Sequence, residues 1–146
     1  MPVVPAEEAD WPAIEGLLVE AGLPLDGARG AFSLGVVARE GEQIVGAAAV
    51  ESYGSIGLLR SVVVRPDRRG TGLGAALVDA AEARARSAGI AELYLLTDSA
   101  ERFFGHRGYA ARSRSAAPAP IADSVEFRVA CADTAVLMAR ALGDGS

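Results

Sequence analysis

The spacing of apolar residues changes several times along the chain, and each change predicts a new element. A short apolar segment at residues 2–5 predicts a first strand, and apolar residues three or four positions apart then predict a helix from Asp10 to Gly22. Residues 25–31 fit a loop or a single turn. Three apolar segments joined by glycine-containing turns predict an antiparallel meander, and they occupy residues 32–39, 43–52 and 56–64.

The second half of the chain alternates between helical and strand-like segments. Helices are predicted at residues 72–88, at 99–107 with Ser99 as the N-cap, and at 118–130, where apolar residues recur four apart. The remaining strands are predicted at residues 90–97, 108–114 and 134–142. This order predicts an α/β fold with a mixed, mostly antiparallel sheet and flanking helices, and not a doubly wound parallel sheet.

Length and composition suit one globular domain over residues 1–146. The chain is 51% hydrophobic and 23% charged, and it has no uncharged apolar segment of about 18 residues. The N-terminus carries acidic residues where a secretory signal carries basic ones. We therefore expect a cytoplasmic protein with no membrane partner.

The residue inventory excludes several kinds of chemistry. The chain contains no lysine, so all 14 basic residues are arginines, which rules out Schiff-base, pyridoxal-phosphate and P-loop lysine mechanisms. His106 and Cys131 are the only residues of their types, so no internal disulfide, zinc finger or two-histidine metal helix can form. We expect no metal site, and we interpret Cys131 as a small buried or loop residue.

The net charge of −5 conceals a basic middle segment. Residues 60–114 contain ten arginines and six acidic residues, whereas the rest of the chain holds four arginines and thirteen acidic residues. A small basic region in an acidic protein favours a discrete anionic ligand over a nucleic acid, which prefers a broad basic face. The alternative is that arginine serves as surface charge in a chain without lysine.

The strongest chemical signal is a glycine-rich turn between a strand and a helix. Gly70, Gly72 and Gly74 alternate with other residues at the start of the predicted helix. Glycine leaves backbone N–H groups accessible and a helix N-terminus attracts anions, so this turn suits a pyrophosphate. The residues also match the pattern GxGxxA of dinucleotide-binding folds, but the preceding antiparallel hairpins and the position of Glu92 at the start of its strand disfavour that fold.

Written as (Q/R)xxGx(G/A), residues 69–74 resemble the cofactor-binding motif of the GNAT N-acetyltransferases. The resemblance covers residues 33–113 and includes LRSVVVRP, LYLLT and the aromatic segment at 100–109. Within the family, the chain resembles the branch of amino-acid and arsenical-resistance-associated N-acetyltransferases. This resemblance implies a sheet splayed beside the cofactor strand, and acetyl-CoA as the acyl donor.

The resemblance also implies roles for individual residues. Pantetheine would pair with the strand before the loop, the pyrophosphate would lie on the loop, and two aromatic residues would pack near the thioester. The strand residues implied for pantetheine are Val62, Val63 and Val64. The loop residues implied for the pyrophosphate are Arg69, Gly70, Thr71, Gly72, Leu73, Gly74 and Ala75, and the aromatic residues implied near the thioester are Phe103 and Phe104. Many family members have a proton-donating tyrosine at the position of Phe104, and phenylalanine cannot donate a proton. Tyr94 or Tyr109 could supply the acid, although both also suit core positions.

Two charged residues inside apolar strands mark the expected acceptor site. Glu51 and Arg60 lie in adjacent strands, and strict alternation would place Arg60 on one face with Val62 and Val64. We expect Arg60, with Ser61 beside it, to bind a substrate carboxylate and Glu51 to accept the amine proton. A structural salt bridge between Glu51 and Arg60 is an equally good interpretation.

The resulting hypothesis is a metal-free N-acetyltransferase that uses acetyl-CoA and a small amine carrying a carboxylate, by direct attack in a ternary complex. One alternative is an enzyme that acetylates protein N-termini or side chains, which would want an open groove that residues 114–133 could instead cover. Another is a domain that binds acetyl-CoA without turning it over, which the missing tyrosine at position 104 favours. No nucleic-acid partner is expected, and a homodimer is one candidate assembly.

Overall fold

The computed structural model describes residues 2–130 and 135–143, with the backbone alone at 129 and 130, so Cys131 lies outside the described residues. The strands are β1 (Val3–Pro5), β2 (Val36–Glu40), β3 (Gln43–Tyr53), β4 (Ile56–Val64), β5 (Glu92–Thr97), β6 (Ala110–Arg112) and β7 (Val136–Ala141). The α-helices are α1 (Trp11–Glu20), α2 (Ala28–Ala31), α3 (Leu73–Ser87), α4 (Glu101–His106) and α5 (Ala119–Ala122).

The strands form one mixed sheet in the order β1-β2-β3-β4-β5-β7-β6. The pairs β1–β2, β2–β3, β3–β4, β5–β7 and β6–β7 are antiparallel, and β4–β5 is the parallel pair. The predicted α/β fold with a mostly antiparallel sheet is therefore confirmed. Within the described residues, no helix has both the length and the apolar character needed to cross a membrane.

Helices cover both faces of the sheet. Leu77 and Val78 of α3 pack with Leu93 and Leu95 of β5 on one face. On the opposite face, the buried residues form one cluster around α1 and α2 and a second cluster that joins β4, β5, β7 and α5. Burial of apolar area is the main source of stability. A polar group that is buried where two such clusters meet has lost its hydration, and it therefore needs a hydrogen-bonding or charged partner.

A β-bulge in β4 reverses the faces of its side chains. Pairing with β3 is regular up to Arg60 and again from Val63, so Ser61 and Val62 together oppose a single residue, and Ser61 has φ of +57°. After the bulge, Val62 and Val64 pack in the α3 core, together with Leu59 from before it. The prediction that Arg60 shares a face with Val62 and Val64 is wrong, because one inserted residue shifts the alternation by one position.

The predicted helix at 118–130 is divided into two short pieces. The α5 helix ends at Ala122, and a π-helical turn follows at Glu126–Ala130. Between them, the Ser124 hydroxyl donates to the carbonyl of Ile121 at 2.6 Å and accepts from the N–H of Phe127 at 3.2 Å. A serine that binds neighbouring backbone groups competes with a regular helix, and here it redirects the chain before Glu126.

Two smaller predictions are also wrong. The first meander strand begins at Val36, because residues 32–34 form a 3₁₀ turn. The N-cap of α4 is Ala100 and not Ser99. The N–H of Ala100 donates to Oγ1 of Thr97 at 2.9 Å, so the side chain that satisfies the helix entry comes from the end of β5.

Gly57 and Gly16 allow a direct test of packing. A methyl group on Gly57 would lie 2.9 Å from Cδ1 of Ile90 and 3.0 Å from Cδ2 of Leu93. We expect Gly57→Ala to lower the free energy of unfolding by about 1–3 kcal/mol. On Gly16 in α1 the methyl group would meet nothing within 4 Å, so Gly16→Ala should raise it by about 0.5–1 kcal/mol. Urea denaturation measures both, and shifts of the same sign would contradict this packing.

Candidate active site

The two parallel strands β4 and β5 separate toward their carboxyl ends. Their paired positions are Ile56–Glu92, Gly57–Leu93 and Leu58–Tyr94. Both strands continue beyond these pairs, β4 to Val64 and β5 to Thr97. The facing edges of the two strands therefore border a cavity of about 440 Å³, called here the interstrand cavity. Backbone groups on such an edge need a partner other than a strand.

Six residues predicted from the sequence line the interstrand cavity. They are Arg60, Ser61, Val62, Gly74, Phe103 and Phe104. The other predicted cofactor residues lie outside it: Val63, Val64 and Arg69 border a separate pocket of about 20 Å³. Gly70, Thr71 and Gly72 are exposed, Ala75 is half-buried and Leu73 is buried. The sequence did not indicate the walls formed by the α1–α2 loop and by residues 95–100.

The glycine loop has the open geometry expected of it. Gly70 and Gly72 have φ of +78° and +83°, and no atom lies within 4 Å of where a side chain would begin on either residue. Gly72 is the N-cap of α3, and Leu73 anchors the helix start in the core. The Thr71 hydroxyl is used internally, donating to the carbonyl of residue 68 at 2.6 Å. Backbone N–H groups at the start of a 15-residue helix thus border an unobstructed surface.

One arginine of the loop remains available for an anion. Arg65 binds Asp67 with both a 2.6 Å and a 3.0 Å contact, and Arg68 binds Glu40 at 2.6 Å. The hydrogen bond from Arg65 lowers the pKa of the Asp67 carboxyl. Arg69 is exposed and makes no salt bridge to any residue in the described part of the chain. Its guanidinium is therefore the accessible cation beside the loop.

Two aromatic side chains close the apolar end of the interstrand cavity. The rings of Phe103 and Phe104 meet edge to face with centroids 5.0 Å apart, and Phe104 meets Tyr109 in the same way at 5.6 Å. The Phe103 ring lies 3.8 Å from where a side chain would begin on Gly74, so α3 and α4 approach closely there. Phe104 is buried and offers the cavity a wall without a hydroxyl group.

Neither candidate replacement tyrosine lines the interstrand cavity among the residues described. The Tyr94 hydroxyl donates to Oε1 of Glu92 at 2.7 Å, and its ring packs in the cluster around α5. Burial and this hydrogen bond raise the pKa of Tyr94 to about 12. The Tyr109 hydroxyl donates to Glu82 at 2.8 Å, and burial raises the pKa of Tyr109 as well. Both hydroxyls donate to buried or partly buried carboxylates that are not among the described lining residues of the interstrand cavity.

Arg60 lies between two carboxylates, which form with it the cluster Glu51–Arg60–Glu126. Its Nη1 donates to Oε2 of Glu51 at 2.8 Å, and its Nε lies 2.9 Å from Oε2 of Glu126. A further N–H of Arg60 donates to the carbonyl of Pro24 at 3.3 Å, and the Arg60 side chain is 1% exposed. Tyr53 donates its hydroxyl to Glu51. The salt bridge between Glu51 and Arg60, one of the two sequence interpretations, is present.

The two carboxylates of the cluster reach different cavities. Arg60 and Glu126 line the interstrand cavity, whereas Glu51 lines a second cavity of about 460 Å³ with Tyr53 and Asp123. Sequence reasoning missed Glu126, although the signal that marked Glu51 was present there too. Glu126 is an acidic residue between a valine and a phenylalanine, and such a residue needs a partner when it is buried.

We expect removal of the Arg60 guanidinium to destabilise the protein strongly. Arg60→Leu would leave two carboxylates buried without their cation, which costs about 3–5 kcal/mol in the free energy of unfolding. Arg102→Leu is the control, since Arg102 is exposed, and it should change that free energy by less than about 0.5 kcal/mol. Chemical denaturation of both variants measures the difference, and a cost for Arg60→Leu as small as the control would contradict a tightly coupled cluster.

Comparison with known proteins connects these features to one family. The model of the acetyltransferase (GNAT) domain matches residues 32–111, which confirms the resemblance predicted from the motifs. The chain is also 40% identical over 68 residues to an amino-acid acetyltransferase from Ralstonia nicotianae, a match that covers 45% of this chain and 15% of the relative. This chain thus spans a small part of that relative's length.

Solved structures share the fold. N-acetylglutamate synthase from Neisseria gonorrhoeae, determined with coenzyme A and N-acetyl-glutamate, is 21% identical with a TM-score of 0.82, covering 97% of this chain and 35% of that chain. The ribosomal-protein-S18-alanine N-acetyltransferase from Escherichia coli is 18% identical with a TM-score of 0.71, covering 97% and 93%. Because the domain model accounts for more than half of its residues, this chain belongs to the GNAT acetyltransferase family.

Proposed function

We propose that this chain is an acetyl-CoA-dependent N-acetyltransferase that acts on a small primary amine of about amino-acid size. The observation that carries the proposal is the separation of β4 from β5 directly before the glycine loop. The separation leaves the edge of β4 free to pair with the amide groups of an extended ligand. The N-terminus of α3, which follows directly along the chain, can bind a pyrophosphate. Few ligands other than a coenzyme A thioester combine these two groups.

The residues along this strand edge and helix start would bind the donor mainly through their backbone. The edge formed by Val62, Val63 and Val64 would pair with the pantetheine amides, as strand edges do with extended ligands. The pyrophosphate would rest on the N–H groups of residues 70–75, with the accessible guanidinium of Arg69 beside it. Phe103 and Phe104 would cover the thioester end and exclude water there.

The reaction itself needs a proton acceptor more than a proton donor. The incoming ammonium must lose a proton, and a carboxylate of the Glu51–Arg60–Glu126 cluster takes it. The amine nitrogen then attacks the thioester carbonyl, a C–N bond forms, and the C–S bond breaks to release the thiolate, which takes the second proton from the new amide nitrogen. An alkyl thiol has a pKa of about 8.5, so the leaving thiolate is tolerable without an acid. This accounts for an enzyme with phenylalanine at position 104 and with Tyr94 bound elsewhere.

The chain near the C-terminus supports a small acceptor over a protein. Glu126 of the π-helical turn and Ala135 before β7 both line the interstrand cavity. Arg114 contacts both segments, because its guanidinium lies 4.5 Å from the centre of the Phe127 ring and donates to the carbonyl of Ala135 at 3.0 Å. A cavity bordered by these two segments admits an amino-acid-sized molecule more easily than a polypeptide. The likeness to amino-acid acetyltransferases supports the same size of acceptor.

A domain that binds acetyl-CoA without turnover is the second candidate. The hydroxyl-free ring of Phe104 at the thioester end is the observation that favours it. Thiol release from acetyl-CoA in the presence of a panel of small amines distinguishes the two candidates. Release with at least one amine supports the enzyme, and tight binding of acetyl-CoA without release supports the domain.

We expect acetyl-CoA to bind in the micromolar range and to stabilise the protein. At about 100 times the dissociation constant it should add about 2.7 kcal/mol to the free energy of unfolding. Gly72→Asp places a negative charge on the loop and should weaken binding by about 30-fold or more, which is roughly 2 kcal/mol. Gly54→Asp is the control for backbone strain, since Gly54 has φ of +75° in the β3–β4 turn. Calorimetric titration that finds equal affinities for the two variants would show that the loop is not the anion site.

We expect the maximal rate to be nearly indifferent to a hydroxyl at position 104. Phe104→Tyr should change kcat less than about tenfold, or about 1.4 kcal/mol of barrier, because the thiolate leaves without an acid. The affinity for acetyl-CoA, measured in parallel, controls for altered packing of the ring. A gain of about a hundredfold or more would mean that the natural chain lacks a group that the reaction needs, and would favour the non-catalytic domain.

A further inference from the structure

We infer that the acceptor is a cationic amine with no carboxylate next to the amino group, held as an ammonium by the Glu51–Arg60–Glu126 cluster. This inference rests on the proposed function, because it assigns the cluster to the acceptor side of that reaction. It replaces the expectation that Arg60 binds a substrate carboxylate. The argument depends on the charge of the cluster, on where the other cations lie, and on the burial of Arg60.

The cluster carries one more negative charge than positive charge. Two carboxylates face the single guanidinium of Arg60, with contacts of 2.8 Å to Glu51 and 2.9 Å to Glu126. Both carboxylates are mostly withdrawn from solvent, with 14% of the Glu51 side chain and 9% of the Glu126 side chain exposed. In such surroundings the interaction between charges is much stronger than in water, so the excess charge attracts a cation and repels an anion.

Among the described residues, no other cation lines the interstrand cavity with this cluster. The chain has no lysine, and all 14 of its arginines lie within the described residues. Of these arginines, Arg60 is the one that lines the interstrand cavity, where the acidic residues Asp98 and Glu126 also lie. The second cavity is bordered by Glu51 and Asp123 and by no arginine among its described lining residues. A substrate carboxylate would thus meet carboxylates on both sides of Arg60.

Arg60 cannot readily turn to a substrate carboxylate instead. Its side chain is 1% exposed, and it also donates to Ser61 and to the carbonyl of Pro24. Taking it away from either glutamate would leave a largely buried carboxylate without its cation. An ammonium needs no such rearrangement, because it adds a positive charge where two carboxylates face one guanidinium. The amine proton then has a carboxylate acceptor in Glu126, which lines the same cavity.

The substrates that fit are decarboxylated or amidated relatives of amino acids. The distinction can be tested without turnover, by titrating amines into the full chain saturated with coenzyme A, which carries no acetyl group to transfer. The ligands are matched pairs: agmatine and arginine, phenylethylamine and phenylalanine, leucinamide and leucine. We expect the partner without a free carboxylate to bind about tenfold more tightly, or better, in at least one pair, and no pair to favour the amino acid.

The variant that tests the source of this preference is Glu126→Gln, which removes one charge and keeps the size of the side chain. We expect it to reduce the preference for the carboxylate-free partner by about tenfold, with the affinity for coenzyme A unchanged within about threefold. Glu15→Gln is the matched control, because it removes the same charge from an exposed position on α1. Its preference should equal that of the parent chain.

The outcomes of these titrations either support or overturn the assignment of the acceptor as a cationic amine without a carboxylate. Tighter binding of the amino acids, binding of neither partner in any pair, or an unchanged preference in Glu126→Gln would overturn the inference. If Glu126→Gln loses its affinity for coenzyme A, the matched amine pairs titrated into the parent chain decide whether the inference holds. Thiol release from acetyl-CoA separates the inference from the proposed function. Preferential binding without release leaves the ligand class in place and removes the enzyme, whereas release with amino acids alone removes the ligand class and keeps the enzyme.

Discussion

The parallel pairing of β4 with β5 ends after Leu58 and Tyr94, and the arrangement of the site follows from that point. Beyond it, β4 still pairs with β3 and β5 with β7, but the edges of β4 and β5 that face each other have no strand partner. Backbone groups on such edges are costly to bury unless a ligand or water binds them. The bulge at Ser61 lies on the same stretch of β4. A non-glycine residue at φ of +57° costs about 1–3 kcal/mol, and such strain persists where the surrounding structure holds it in place.

The bulge also explains why a charged cluster can exist inside the sheet. Leu59 packs with α3 while Arg60 lies on the other face, and after the bulge Val62 and Val64 pack in the α3 core. The opposite face is consequently divided between the α1–α2 cluster and the α5 cluster. Arg60 occupies the region between them, where Glu51 and Glu126 reach it from β3 and from the π-helical turn. The packing that isolates the cluster from water is also what gives its charge a chemical effect.

The predictions that failed have particular physical causes. The shared face of Arg60, Val62 and Val64 depended on strict alternation, which one inserted residue reverses. The single helix at 118–130 depended on apolar spacing, which Ser124 overrides by binding backbone groups on both sides of itself. Glu126 was missed because an acidic residue in a segment interpreted as a helix can face solvent. Only the break in that helix turns it toward Arg60.

The sequence by itself determined most of the elements, the mixed sheet and the position of the glycine loop, because these depend on local spacing and on a contiguous motif. It also determined the absence of lysine, which makes every arginine informative. Tertiary structure alone decided which charges meet, since Glu51, Arg60 and Glu126 are brought together from separate parts of the chain by strand register, a bulge and a broken helix. It likewise decided that the Tyr94 hydroxyl donates to Glu92. Contacts between residues distant in sequence depend on register, and a shift of one residue in register exchanges the two faces of a strand.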